Sequence, residues 1–222
     1  MKGRVSEIFY SLQGEGIYQG INQVFVRFYG CNLTCSFCDT KLFSYKEYSP
    51  EELVKEIERV TRPYKHICFT GGEPLLHSGF IEETGRSLKE KSRRIFLETN
   101  GTLPDEFERV KDVVDIVSMD FKLPSSTGLR SFWKEHQTFL EKAAEKDVYV
   151  KAVVTCGTKE EDIIKTIGII TGLDKNIPLV FQPEFSCGDK VLEKANYFRN
   201  MALRSLSRAE VIPQLHKYIG VR

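Results

Sequence analysis

The chain has 222 residues, 41% of them hydrophobic and 28% charged, the balance of a soluble globular protein with enough apolar side chains to bury a core. Its 32 basic and 31 acidic residues leave a formal net charge of +1, which argues against a bulk nucleic-acid or membrane-surface binder, since both need a surplus of Lys and Arg. No run of about 18 apolar residues could span a membrane, and the opening MKGRVSEIFYSLQGEG lacks the apolar stretch of a signal peptide, so the expected compartment is the cytoplasm.

In chain order, residues 23–29 are β-branched and aromatic and place Val24, Val26 and Phe28 on one face of a strand. A cysteine-bearing loop follows. Ser49-Pro50-Glu51-Glu52 reads as a helix start: Ser49 can cap, Pro50 suits the first helical position and Glu52 completes a capping box. Leu53, Ile57 and Val60 then make an apolar stripe. Further strands are expected at 66–70, 94–98, 116–120, 148–155 and 179–182, with helices near 80–91, 129–146, 159–171 and 190–207. This alternation predicts an α/β fold with a mostly parallel sheet and helices outside, in one domain spanning 1–222. A complete eight-fold barrel typically takes ~250 residues, so an open, partial β/α barrel fits the length better.

Chemistry in such folds sits at the C-terminal ends of the strands. The polar motifs fall there. Thr70-Gly71-Gly72-Glu73-Pro74, Glu98-Thr99-Asn100-Gly101, Ser118-Met119-Asp120-Phe121-Lys122 and Gln182-Pro183-Glu184 each close or follow a strand.

Of six cysteines, Cys31, Cys35 and Cys38 cluster, while Cys68, Cys156 and Cys187 are scattered and read as ordinary core or pocket residues. Three thiolates in a C-x3-C-x2-C loop can each bind one iron of a cubane and leave the fourth iron open to a small molecule. Zinc would need a fourth ligand; Asp39, His66 or His77 could serve, but none has the expected spacing. A c-type haem needs His where Asp39 stands, and a dithiol of Cys35 and Cys38 gives Cys31 no role. His77 and His136, beside predicted helices, read as solvated.

With Phe37 between its second and third cysteines, the loop resembles the signature of the radical S-adenosylmethionine (radical SAM) superfamily, and Gly71-Gly72-Glu73-Pro74 resembles that superfamily's second motif. The resemblance implies a [4Fe–4S] cluster on Cys31, Cys35 and Cys38 and S-adenosyl-L-methionine as cofactor. A narrower resemblance, to the 7-carboxy-7-deazaguanine synthase family, covers nearly the whole chain. It rests on Glu7-Ile8-Phe9-Tyr10-Ser11-Leu12-Gln13-Gly14-Glu15-Gly16, Phe25-Val26-Arg27-Phe28, Cys38-Asp39-Thr40, Glu98-Thr99-Asn100-Gly101, Lys122-Leu123-Pro124-Ser125-Ser126 and Ile212-Pro213-Gln214-Leu215-His216.

That family converts 6-carboxy-5,6,7,8-tetrahydropterin to 7-carboxy-7-deazaguanine with loss of ammonia, on the route to queuosine in tRNA and related deazapurines. The resemblance implies a 5′-deoxyadenosyl radical that takes hydrogen from C6 of the pterin and later returns it, so no side chain is expected to carry the radical. It places Phe37, Cys38 and Asp39 by the cofactor's adenine, Gly72 and Glu73 at its methionine end, and Ser118, Lys122, Gln182 and Glu98 at ribose and carboxylate. Ser118-Met119-Asp120-Phe121-Lys122 departs from the adjacent Ser, Pro and Lys common in the family, which brings Asp120 in as a sharer of the Lys122 role. For the substrate it implies Leu12, Gln13, Gly14, Glu15, Arg27, Thr70 and His216, with the terminal carboxylate of Arg222, and it makes Thr40 a Mg2+ ligand. Arg27 independently suits a bidentate grip on a substrate carboxylate. A flavodoxin or ferredoxin electron donor and a homodimer are the implied partners. The rival readings are a glycyl-radical-activating enzyme, which shares the cysteine loop but binds a protein, and a non-catalytic zinc module.

Overall fold

The computed structural model describes residues 1–40 and 42–220; Lys41, Val221 and Arg222, and the side chains of His216 and Ile219, lie outside the described residues. Nine strands form one sheet: β1 (Gly3–Leu12), β2 (Asn22–Phe28), β3 (Lys46–Tyr48), β4 (His66–Gly71), β5 (Arg94–Thr99), β6 (Ile116–Asp120), β7 (Asp147–Val154), β8 (Leu179–Pro183) and β9 (Ala209–Val211). Their order is β3-β1-β2-β4-β5-β6-β7-β8-β9; from β2 to β9 every neighbour is parallel, and β1 pairs antiparallel with both β2 and β3. The helices are α1 (Pro50–Glu58), α2 (Ser78–Glu90), α3 (Pro104–Val110), α4 (Pro124–Thr127), α5 (Trp133–Ala143), α6 (Glu160–Leu173), α7 (Asp189–Ala202) and α8 (Leu215–Ile219). This is the open, mostly parallel β/α sheet expected.

Strand alternation divides the core in two. Val24, Val26, Phe28, Ile67, Phe69, Ile95, Leu97, Val117, Met119, Val150, Ala152, Leu179 and Phe181 face the helices in the main core. Residues of the other parity, Phe25, Cys68, Phe96, Ile116, Tyr149 and Val180, form a smaller apolar floor on the concave face, closed by Phe9, Ile17, Tyr18 and Ile212. Each buried side chain of this size contributes about 1.5–3 kcal/mol against exposure. One step further along the same parity, the side chains turn polar: Arg27, Thr70, Glu98, Ser118, Lys151 and Gln182. The register sets Arg27 opposite Thr70, Glu98 opposite Ser118 and Asp120 opposite Lys151. A polar tier therefore stands on an apolar floor at the C-terminal ends of the strands.

The Ser49 capping box forms as expected, with both reciprocal bonds present. Elsewhere the sequence reading needs correction. The helix expected at 129–146 is the shorter α5, Trp133–Ala143; a separate short α4 precedes it and ends at Gly128, which takes a left-handed φ of 73°. The last long helix stops at Ala202 rather than 207. β1 was not expected as a strand: its register shifts between Val5 and Glu7, which breaks the period-two signal. α3 and the three-residue β3 and β9 are too short to show a pattern. His136 is fully buried, and His77 is half-buried, stacked on Phe28 with its ring nitrogen 3.1 Å from the Tyr29 carbonyl; neither is a solvated surface residue. Cys68 is buried as expected, but Cys156 is exposed and Cys187 half-buried.

Candidate active site

Above the polar tier lies a cleft of about 770 Å3. Its walls come from the β1–β2 connection, the cysteine loop, the ends of β4 through β8, and the segment leading into α8.

Cys31, Cys35 and Cys38 all line this cleft from an irregular loop after β2. The loop is tied down on both sides. Asn32 accepts from Asn100 (2.8 Å) and donates to Thr102 (2.9 Å), anchoring it to the end of β5. The Ser36 amide and hydroxyl donate to the carbonyls of Thr127 and Ser126, anchoring it to α4. Desolvation by the surrounding loop raises the thiols of Cys31 and Cys35 above their ordinary value, so a bound cation is what would favour their thiolates. Among the described residues no three His, Cys, Asp or Glu side chains converge as they would on a single ion.

The Gly71-Gly72 pair is required by close approach. Gly71 has φ 128°, and a Cβ on it would collide with the backbone of Phe28; a Cβ on Gly72 would strike the Gly30 carbonyl oxygen. In return Gly72 N–H donates to Phe28 O (3.1 Å) and Glu73 N–H to Gly30 O (2.9 Å), which locks β4 to the start of the cysteine loop. Glu73 itself does not line the cleft. Its buried carboxylate accepts from the amides of Leu75 and Asn100 and from the Thr99 hydroxyl, so the side chain is committed to structure. Burial pushes its carboxyl up to about 7 despite those bonds.

On the wall formed by β6 to β8, Lys122 pairs with Asp120 (2.8 Å) and lies 5.5 Å from the centre of the Phe37 ring. Burial lowers the Lys122 ammonium, but Asp120 and then Cys35 outweigh it, and the net shift is upward. Asp120 Oδ1 and Gln182 Oε1 are buried acceptors without a partner among the described residues, and both residues line the cleft. Such acceptors suit a ligand bearing hydroxyl or ammonium donors. Ser118 is buried in the same wall, and Asp39 at the rim pairs with Lys217 of α8 (2.5 Å).

The opposite wall holds the loop 12–15. Gln13 donates to Glu98 (2.8 Å), whose other oxygen accepts from Thr70 (2.7 Å). Glu98, expected at the cofactor, is thus the bridge between two residues expected at the substrate. Arg27 lines the cleft with its Nε 3.2 Å from Glu7 and its guanidinium 5.3 Å from the Phe9 ring. Leu12, Gly14 and Thr40 also line it. The C-terminal segment closes over this loop: Leu215 N–H donates to Gly14 O (2.8 Å), Gln214 to Glu15 (2.7 Å), and Gln19 to Pro213 O (3.0 Å). Nothing structural follows for His216 and Arg222, since the side chain of the first and the whole of the second fall outside the described residues.

The buried ionisable residue in the lining escaped the sequence reading. Lys151, in the middle of β7, is buried in the cleft wall and ion-paired to Glu15, with Asp120 3.6 Å away. Burial opposes its charge, but Glu15, Asp120 and Glu98 together hold its ammonium well above the ordinary range. The signal was available as a single ionisable residue inside the apolar run Val148-Tyr149-Val150-Lys151-Ala152-Val153-Val154.

Comparison with known proteins agrees with this geometry. The model of the Radical SAM superfamily matches residues 25–170. A 7-carboxy-7-deazaguanine synthase of Geobacter sulfurreducens is 34% identical over 97% of this chain and 96% of its own length. One of Archaeoglobus fulgidus is 33% identical over 100% of both chains. The fold also matches the crystal structure of QueE from Escherichia coli, at TM-score 0.66 and 21% identity, covering 97% of this chain and 95% of that one.

Proposed function

Because the chain belongs to the radical SAM superfamily, and within it to the 7-carboxy-7-deazaguanine synthases, we propose that it converts 6-carboxy-5,6,7,8-tetrahydropterin to 7-carboxy-7-deazaguanine with loss of ammonia, in queuosine and 7-deazapurine biosynthesis. One observation carries the reading: the three-cysteine loop and the Gln13–Glu15 loop line the same cleft, so a radical made at one would be within the same space as a ligand held by the other.

The donor set fits the groups the family requires. Cys31, Cys35 and Cys38 would hold a [4Fe–4S] cluster. The methionine end of S-adenosyl-L-methionine would lie along the backbone at Gly72, where no Cβ intrudes, with Phe37, Cys38 and Asp39 near the adenine. The partnerless acceptors of Asp120 and Gln182, with Ser118 and Lys122, suit its hydroxyls and charged ends. Bound together, these groups supply a carbon-centred radical for abstraction of hydrogen from the pterin.

The chain's own residues bind, orient and exclude water. Arg27, already stacked on Phe9, offers a planar guanidinium to the substrate carboxylate. Leu12, Gln13, Gly14 and Glu15 read the edge of the pterin, with Thr70 and Glu98 fixing Gln13 from behind. Thr40 at the rim would join a Mg2+ ion shared with the substrate carboxylate. By resemblance to the family, His216 and the terminal carboxylate of Arg222 would also bind the substrate. The reading extends to a cytoplasmic homodimer, in which the sheet edges at β3 and β9 are available for pairing, and to a flavodoxin or ferredoxin as reductant.

The test is anaerobic incubation of reconstituted protein with reductant, S-adenosylmethionine, Mg2+ and the pterin, read by mass spectrometry. The expected result is 7-carboxy-7-deazaguanine from the native chain and none from Cys31→Ala, Cys35→Ala or Cys38→Ala. Product from any of the three variants would sink the radical reading. Formation of 5′-deoxyadenosine alone by the native chain would move the glycyl-radical-activating alternative ahead.

A further inference from the structure

We propose that Lys151 is a positioning residue for the substrate, acting through Glu15 to hold the pterin-reading loop and the C-terminal segment in register with the cofactor wall. This rests on the reading of the cleft given above. Glu15 has one carboxylate oxygen against Lys151 Nζ and the other accepting from Gln214 (2.7 Å). Lys151 also stands 3.6 Å from Asp120, which is bonded to Lys122 at 2.8 Å, and Lys122 lies over Phe37 of the cysteine loop. A continuous line of contacts thus runs from Gln214 of the C-terminal segment through the charges of Glu15, Lys151, Asp120 and Lys122 to Phe37 of the cluster loop. Lys151 is a link joining the substrate half to the cofactor half through the cleft wall, beside the Asp39–Lys217 pair at the rim.

Its placement is what a positioning role needs. Lys151 lies on the rigid interior of β7, and its register partner is Asp120 on β6. Glu15, by contrast, belongs to the β1–β2 connection, an irregular segment held not by a strand ladder but by turn bonds such as Gln13 N–H to Ile21 O (2.8 Å), Glu15 N–H to Gln13 Oε1 (3.0 Å), Gln19 Nε2 to Gly14 O (3.1 Å) and Leu215 N–H to Gly14 O (2.8 Å). The buried cation fixes the carboxylate, and the carboxylate fixes the loop. Truncating one partner of a buried, hydrogen-bonded charge pair exposes the cost of the other, so removing the ammonium would release Glu15 toward solvent.

The experiment compares Lys151→Met, Lys151→Arg, Glu15→Gln and the double variant E15Q/K151M, reconstituted anaerobically. Lys151→Met should raise KM for the pterin roughly 10- to 100-fold, the scale of a lost buried charge partner, with kcat reduced far less and with iron content and S-adenosylmethionine binding unchanged. Lys151→Arg should recover most of the loss. The double variant should be no worse than Glu15→Gln, because a residue acting through Glu15 has nothing left to act on. Hydrogen exchange on the same samples supplies a readout independent of turnover. Amides of residues 14–16 and 214–217 should exchange faster in Lys151→Met, while those of β7 stay protected. Unchanged exchange in those segments, or losses that multiply in the double variant, would overturn the role. Should the native chain fail to convert the pterin while the exchange pattern still changes, the substrate reading falls and the positioning role stands.

Discussion

His136 shows how a single buried residue can set a pH limit on the fold. It is fully buried, stacked on Phe121 at 4.5 Å between ring centres, with its Nε2 3.1 Å from the Asn100 carbonyl. The Lys122 amide lies at 3.5 Å from the same nitrogen; in the tautomer that serves the shorter contact, Nε2–H donates to Asn100 O and Nδ1 is an acceptor without a partner among the described residues. Protonating Nδ1 would place a bare cation in the core, and burial accordingly depresses the pKa to about 4, against 6.5 in the unfolded chain. The unfolded state therefore binds more protons between those values. Stability present above about pH 6.5 is lost as pH falls toward 4, by up to roughly 3 kcal/mol. In the apo protein, urea midpoints measured across that window should fall more steeply for the native chain than for His136→Gln, which keeps a donor for Asn100 and cannot titrate. Parallel slopes would remove His136 as the cause. The sequence placed His136 beside a helix and not beneath Asn100, because its burial depends on the helix following β6 packing back over the end of β5. Lys151 was missed for the same reason. A lysine in an apolar strand is visible in one dimension, but its partners Glu15 and Asp120 lie 136 and 31 positions away and meet it only in the folded sheet.

Elements with strong local chemistry were legible. α1 begins where Ser49, Pro50 and Glu52 say it must, with Glu52 N–H donating to Ser49 Oγ at 3.3 Å and Ser49 N–H donating to Glu52 at 2.7 Å. Ser49→Ala removes one side of that box and should cost about 1 kcal/mol, seen as a lower urea midpoint at unchanged slope. No change would mean that Pro50 and tertiary packing alone fix the start of the helix. Strands β2, β4, β5, β6, β7 and β8 were equally readable, because buried parallel strands concentrate β-branched and aromatic residues. β1 was not, since its bulge near Ser6 scrambles the alternation and most of its residues are only half-buried. The helix expected at 129–146 forms only over Trp133–Ala143, and the short α4 before it ends at Gly128, whose φ of 73° is a conformation the side-chain pattern does not encode.

At the scale of the molecule, one device organises the rest. The parallel strands β2 and β4 to β8 carry their C-terminal ends to the same rim, so motifs spread from Arg27 to Gln182 line a single cleft, which the loop after the antiparallel β1 also lines. That convergence was readable from the position of each polar motif after a strand. The division of labour inside the cleft was not: Glu98 turned out to bridge Gln13 and Thr70, and Glu73 to serve the backbone at Leu75 and Asn100. Motif spacing names the residues that arrive at a site but not which neighbours claim their lone pairs. With cofactor wall and substrate loop lining one cleft, the proposed function requires that the hydrogen taken from the substrate be returned before product leaves. The most direct test is the molar ratio of 7-carboxy-7-deazaguanine formed to S-adenosylmethionine consumed, under anaerobic conditions with excess pterin. Many products per cofactor consumed is the expected result. One 5′-deoxyadenosine released per product would contradict it, and would mean that the cleft uses the cofactor as a co-substrate.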